Sequence, residues 1–400
     1  MATSVTKPPT KWLRSEGDHV VTPMELFFDL VFVFAITQLS HLLLDHLELH
    51  GVLQTALLML AVWWAWMYTT WTTNWFDPNQ RPVRAVLVGV MAASLVMSAV
   101  LPEAFGERGL MFALAFVALQ VGRTAFVVFW TRHDSVLGSN FQRIFAWLVA
   151  SGLLWIAGGL SSGGTREVLW LAAVIVDFAA PALGYWTPGL GRSSTHDWNI
   201  SGGHMAERCQ LFLIIALGES ILVTGATFGE MEITATVLAG FVIAFLGSVA
   251  LWWVYFDRAA GDAEHLIARS DDPGRLGRLA YTYLHIPMVA GIIVSAVGDE
   301  LAIAHPFGHA GPEIAATVLG GPAIFLLGHL LFKRAVFGIW SMPRIAAIIV
   351  LLIVGFAGQE FAPIALASIA LVVIASVPIM DSRMAPRHQQ SLMGSGHAAD

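Results

Sequence analysis

The sequence predicts an all-α polytopic membrane protein, with about 12 transmembrane helices in two parallel six-helix repeats. Three observations carry this expectation. Of the 400 residues, 56% are hydrophobic and only 12% charged, and the mean hydropathy is +0.70. That much apolar surface exceeds what a soluble core can hide, so lipid must solvate it. Twelve apolar stretches each approach the ~20 residues that a helix needs to cross the hydrocarbon. The basic residues, finally, gather in alternate connections, as the positive-inside rule requires.

The spans follow in order. The first, 24–44, starts after Thr22-Pro23 with MELFFDLVFVFAI, and the second, 51–74, is rich in tryptophan and ends in NWFD. The third, 84–102, is opened by RPVR; the fourth, 108–130, contains Gly122-Arg123; the fifth covers 142–160. The sixth, 167–186, holds Asp177 close to Pro181, a residue that loosens backbone bonding in a helix. The seventh, 206–226, contains AERCQLFLIIALGES, and the eighth, 232–257, ends in WWVYFD. The ninth, 278–298, is opened by RLGR and carries His285; the tenth, 311–333, carries Gly328-His329. The last two, 343–359 and 361–380, are parted by a turn at Gly358, Gln359 and Glu360, because their joint length is too great for one crossing.

With a cytoplasmic N-terminus, seventeen of the 21 basic residues fall on the inner side. Arg108 and Arg166 fall outside, Arg123 lies within a span and Arg208 lies near the start of one. This places both termini in the cytoplasm. Residues 1–21 are polar and show no cleavable signal pattern, so the first span is expected to serve as the insertion signal. The net charge of −7 and the absence of a basic run argue against a nucleic-acid partner. One cysteine, Cys209, excludes an internal disulfide framework and a cysteine-based metal cluster. The lipid bilayer is the partner the sequence names, and it leaves the oligomeric state open.

The two halves echo each other. Glu25 matches Glu207, NWFD at 74–77 matches VYFD at 254–257, RPVR matches RLGR, and Gly122-Arg123 matches Gly328-His329. Six helices per half is an even number, so both halves enter from the same side, as in parallel transporter repeats. The organisation read from this is an N-terminal cytoplasmic segment at 1–21, repeats at 22–190 and 191–380, and a disordered cytoplasmic tail at 381–400. The segments VTPMELFFDLVFVFAITQL (21–39), ERCQLFLIIALGESI (207–221) and WWVYFD (252–257) resemble the bacterial low temperature requirement protein A family, over roughly residues 15–380. The resemblance implies a multi-spanning inner-membrane protein and supplies no reaction, substrate or cofactor. It singles out Glu25, Asp29, Glu207, Arg208 and Glu219 as functional positions.

The candidate residues are the ionisable ones at membrane depth, where each is costly unless paired or used. Glu25 and Asp29 are four apart and share a helix face, suited to binding a cation or sharing a proton. Glu25 reads equally well as a helix-capping charge. Glu219, far along the seventh span, and Asp177 in the sixth read as proton or cation sites. Arg123, His285 and His329 supply positive or titratable partners, the histidines reading more readily as neutral hydrogen-bond partners than as proton relays. Levels in the membrane predict that Arg123 pairs with Asp29, or secondarily with Glu207. HLLLDHLELH offers His41, Asp45, His46 and His50, a weak metal pattern, and no metal site is expected. The tryptophans, among them Trp63, Trp64, Trp66, Trp252 and Trp253, read as interfacial anchors.

The function expected from these residues is a proton- or cation-coupled carrier, with a proton, cation or small solute as ligand and no cofactor. The alternative is a non-catalytic membrane factor supporting growth in the cold. A membrane-embedded enzyme on a lipid-borne substrate ranks below both, because no nucleophile elbow, HExxH motif or phosphate loop occurs.

Overall fold

The computed structural model describes residues 12–14, 20–131, 136–193, 202–257, 263, 266–267, 270 and 272–395. Lys7, Lys11, Arg132, Arg258 and Arg269, counted above as cytoplasmic, lie outside the described residues. Among the described residues there are twelve main helices and no strand. They are α1 Pro23–Asp45, α2 Leu49–Trp75, α3 Arg81–Val100, α4 Gly109–Thr131, α5 Leu137–Leu160 and α6 Gly163–Ala182. The rest are α7 Gly202–Glu230, α8 Ala235–Phe256, α9 His285–Ala304, α10 Gly311–Phe337, α11 Met342–Ala357 and α12 Pro363–Ser395. Each predicted span has its helix, and ten are long and apolar enough to cross a membrane. Of the other two, α6 carries Arg166, Glu167 and Asp177, and α11 is 16 residues long.

The chain divides into two compact units, residues 1–212 with 270–278, and residues 213–269 with 279–400. In the first unit α2 is central, touched by α1, α4 and α6, while α3 and α5 pack on either side of α4. This position overturns the interfacial reading of Trp63, Trp64 and Trp66, which are at most 2% exposed. A helix surrounded by other helices has no lipid rim at those positions, so the rings fill the core. Trp66 and Trp63 pack on Phe212, and Trp64 stacks on Phe178 at 4.0 Å. Trp252 and Trp253 remain exposed on α8, as lipid-facing rings would be.

Helix ends have local causes. Thr22 caps α1 while the Glu25 carboxylate reaches back to the Thr22 N–H at 2.9 Å, a capping box. The sixth helix stops at Ala182 rather than the expected 186, because Gly184 and Tyr185 take left-handed backbone at φ 61° and 51°. Before α9 the chain forms a short helix at Pro273–Gly277 and then a π-helical stretch at Arg278–Tyr283, where the ninth span was expected to begin.

In the second unit α10 is central, packed against α8, α9, α11 and α12. Its contact with α9 is extensive, close and antiparallel, Gly298 facing Val318 and Gly291 facing Phe325. Gly291 and Gly298 lie seven apart on α9, as do Gly321 and Gly328 on α10, so each helix shows a bare stripe two turns long. A β-carbon at Gly321 would sit 2.5 Å from the Ser295 nitrogen, too close to tolerate without a shift. The last helix continues past Met380 to Ser395.

Candidate functional site

The most charged buried cluster lies in the first unit, where α1, α2 and the start of α7 meet a short N-terminal strap. The strap is held by backbone bonds, Arg14 N–H to the Trp75 carbonyl at 2.8 Å and Asp77 N–H to the Trp12 carbonyl at 2.9 Å. It delivers the Arg14 guanidinium to Glu25, Nη2 to Oε2 at 2.7 Å, and to the Thr73 carbonyl, also at 2.7 Å. Glu25 and Asp29 are both 0% exposed. Opposite them, His204 and Arg208 stand four apart on α7 and are equally buried. His204 Nε2 donates to Glu25 Oε1 at 2.7 Å, and Arg208 Nη2 donates to Asp29 Oδ1 at 2.6 Å. Two one-turn pairs thus meet in register, and the match of 25 with 204 and 29 with 208 makes the first turns of α1 and α7 run parallel.

The remaining bonds define protonation. His204 accepts at Nδ1 from Asn74 Nδ2 at 3.2 Å, so the neutral tautomer with its proton on Nε2 satisfies these two contacts, while Arg14 Nη2, 3.2 Å from the same Nε2, meets a donor there and not an acceptor. With Arg14 and Arg208 positive and Glu25 and Asp29 negative, the cluster is charge-balanced. It is not fully hydrogen-bonded. Asp29 receives both Arg208 and Trp66 Nε1 (2.8 Å) on Oδ1, while its buried Oδ2 has no hydrogen-bond partner among the described residues. Arg208 also approaches Glu25 Oε1 at 3.7 Å and Thr70 Oγ1 at 3.4 Å. Glu207, half-buried, accepts from the Val21 N–H at 3.1 Å, one residue before the Thr22 that caps α1.

The expected Arg123–Asp29 pair does not form, nor does Arg123–Glu207. Arg208 already occupies Asp29, and α4 lies against α2 rather than α1. The Arg123 guanidinium instead donates to Gln120 Oε1 at 2.7 Å, Thr69 Oγ1 at 2.9 Å and the Ala65 carbonyl at 3.5 Å, and sits 5.5 Å from the Tyr68 ring centre. Asp177 is buried on α6 and accepts from Trp155 Nε1 at 3.2 Å. Arg166, read as an outer loop residue, is buried and donates to the carbonyls of Ala104, Gly106, Gly158 and Ser161, tying two turns together.

In the second unit Glu219 is 2% exposed, one residue before Ser220, whose hydroxyl bonds Ser248 at 3.1 Å. His285 donates from Nδ1 to the Ala280 carbonyl at 2.8 Å, a group freed by the π-helical turn, and accepts the Tyr255 hydroxyl at Nε2, 2.9 Å. His329 accepts at Nδ1 from Arg344 Nε at 3.2 Å, which again fixes the neutral form. Both rings pack on Tyr255 at 5.8 Å. Arg344 is itself paired with Asp381 at 2.6 Å. Among the described residues no three or more His, Cys, Asp or Glu side chains group to hold a metal. In HLLLDHLELH, His46 turns to the Leu42 carbonyl and His50 to Glu167, on separate partners.

Sequence reasoning missed Arg14, His204, Trp66 and Arg344. For His204 a signal existed, since H-x-x-x-R at 204–208 repeats the spacing of E-x-x-x-D at 25–29 with hydrogen-bond donors in place of acceptors. Nothing local marked Arg14, whose role depends on the strap.

Long apolar helices that bury ion pairs and neutral histidines among themselves define a multi-pass helical membrane protein. More particularly, the chain belongs to the bacterial low temperature requirement A protein (LtrA) family, whose model matches residues 20–379. It is 41% identical over 339 residues to the uncharacterized protein RA0937 of Rhizobium meliloti (strain 1021), covering 83% of this chain and 82% of that one. No solved structure matches.

Proposed function

We propose that this protein is an inner-membrane carrier, with both termini cytoplasmic, that couples proton or cation movement to the Asp29–Arg208 pair. The observation that carries the reading is the idle Oδ2 of Asp29, a fully buried carboxylate oxygen beside an ion pair. A proton on Oδ2 removes the negative charge that holds Arg208, and Arg208 then relaxes toward Glu25, already 3.7 Å away. Loss of the proton restores the pair. Such an exchange of partners is a two-state element that a translocated ion can bias. The parallel run of α1 and the first turns of α7 supports descent from two similar six-helix halves, 22–190 and 191–380, a plan found among carriers. Glu219, Asp177, His285 and His329 serve in this reading as further coupling or positioning groups.

The second reading, a non-catalytic membrane factor supporting growth in the cold, is favoured by the balance of charge in the cluster, which a purely structural pair would also show. Purified protein in vesicles containing a trapped pH-sensitive dye separates the two. The carrier moves protons faster than protein-free vesicles when a pH gradient is imposed with sodium or potassium present, and Asp29→Asn abolishes this. Flux at the protein-free level for both cations overturns the carrier reading.

A further inference from the structure

Four arginines are buried among the described residues, and they are compensated unequally. Arg208 is held by Asp29, and Arg344 by Asp381. Arg166 is spread over four backbone carbonyls. Arg123 differs from all three. It is 2% exposed, no carboxylate of the described residues lies within 4.0 Å of it, and its acceptors are one amide oxygen, one hydroxyl and one carbonyl at 3.5 Å. A guanidinium carries five N–H donors and cannot shed its charge. Two donors at this place are idle: Arg123 Nε and the Nε2 amide of Gln120, itself 1% exposed. These two side chains are joined by the 2.7 Å bond from Arg123 Nη2 to Gln120 Oε1, so the idle donors belong to two bonded side chains one turn apart on α4.

We propose that Arg123 and Gln120 bind a small monovalent anion inside the first unit. The chemistry is that of an anion site: a full positive charge, two unused nitrogen donors and no carboxylate of the described residues within 4.0 Å of the guanidinium. One monovalent charge neutralises the guanidinium, and two idle donors suit an ion of halide size or the carboxylate of a small solute. A divalent oxyanion would leave a net negative charge buried with few donors to satisfy it. The Tyr68 ring face holds the cation from one side but does not cancel its charge. The site is separate from the Asp29–Arg208 pair, so it stands whether or not that pair couples transport.

The test is anion-dependent melting of the purified full-length protein, followed by tryptophan fluorescence at fixed pH and ionic strength. Sodium gluconate is replaced stepwise by sodium chloride, bromide, formate or acetate. Wild type should show a saturable rise in Tm with the bound anion. Halides acting alone assign a free inorganic ion, and formate or acetate acting alone assigns a solute carboxylate. Arg123→Gln should lose the dependence, Gln120→Leu should need at least about tenfold more anion, and Asp29→Asn should keep the wild-type response. Wild-type melting indifferent to all four anions overturns the proposal, as does an unchanged dependence in Arg123→Gln. If Arg123→Gln fails to fold, a Gln120→Leu response identical to wild type overturns it instead.

Discussion

Removing one partner of the Asp29–Arg208 pair should cost more than its share of removing both. Arg208→Met deletes the 2.6 Å bond and the approach to Glu25, and leaves Asp29 a buried carboxylate held by Trp66 alone. A buried charge stripped of its partner costs about 3–5 kcal/mol. Asp29→Asn keeps the shape and leaves Arg208 its 3.7 Å approach to Glu25, so its loss should fall near the lower bound, about 3 kcal/mol. In the double variant neither charge is stranded. It should therefore lose less than the sum of the single losses by about 2 kcal/mol, within the range for groups in direct contact. The assay is reversible unfolding in mixed micelles, read by tryptophan fluorescence and far-ultraviolet circular dichroism on all four proteins. A control cycle combines Asp29→Asn with Arg123→Gln, whose partners are Thr69, Gln120 and Ala65, and it should be additive within about 0.5 kcal/mol. Additivity in the Asp29–Arg208 cycle, or equal coupling in the control, would refute the reasoning.

Three further outcomes are expected. Gly321→Ala should destabilise the protein by about 1–3 kcal/mol, because its β-carbon meets Ser295, whereas Gly320→Ala next to it meets open space and should be neutral; equal unfolding midpoints would contradict the close α9–α10 contact. On a Cys209→Ser background, single cysteines at Ser4 and Ser391 should resist an impermeant thiol reagent in intact cells while one at Glu232 is labelled; labelling of both termini would reverse the proposed orientation. Glu219→Gln should reach the membrane at near-normal level and lose ion flux in vesicles, and a fully active variant would reduce Glu219 to a structural hydrogen-bonding group.

Helix number was legible in the sequence because each span must cover its own backbone and find ~20 apolar residues, a local requirement. Which charge meets which was not. Membrane depth puts Arg123 level with Asp29, but depth is one coordinate of three; the azimuth that sets Arg208 against Asp29 comes from the packing of α7's first turns beside α1 and α2. Glu25 shows both sides at once. Its capping box was written in Thr22-Pro23-Met24-Glu25, yet its bonds to Arg14 and His204 join residues 11 and 179 positions away. The tryptophans repeat the lesson, since an aromatic ring in an apolar span reads alike whether its helix is peripheral or central, and only the central place of α2 buries Trp63, Trp64 and Trp66.

By itself, then, the sequence determined a helical membrane chain, the order of its helices and part of the list of costly polar groups, because hydropathy and charge act along the chain. Tertiary structure alone decided that Arg208 rather than Arg123 answers Asp29, that Arg166 is a buried tie, and that Arg123 has no carboxylate partner among the described residues. Those outcomes depend on the rotation and neighbours of each helix, and a side chain's partner is fixed only when the helices pack.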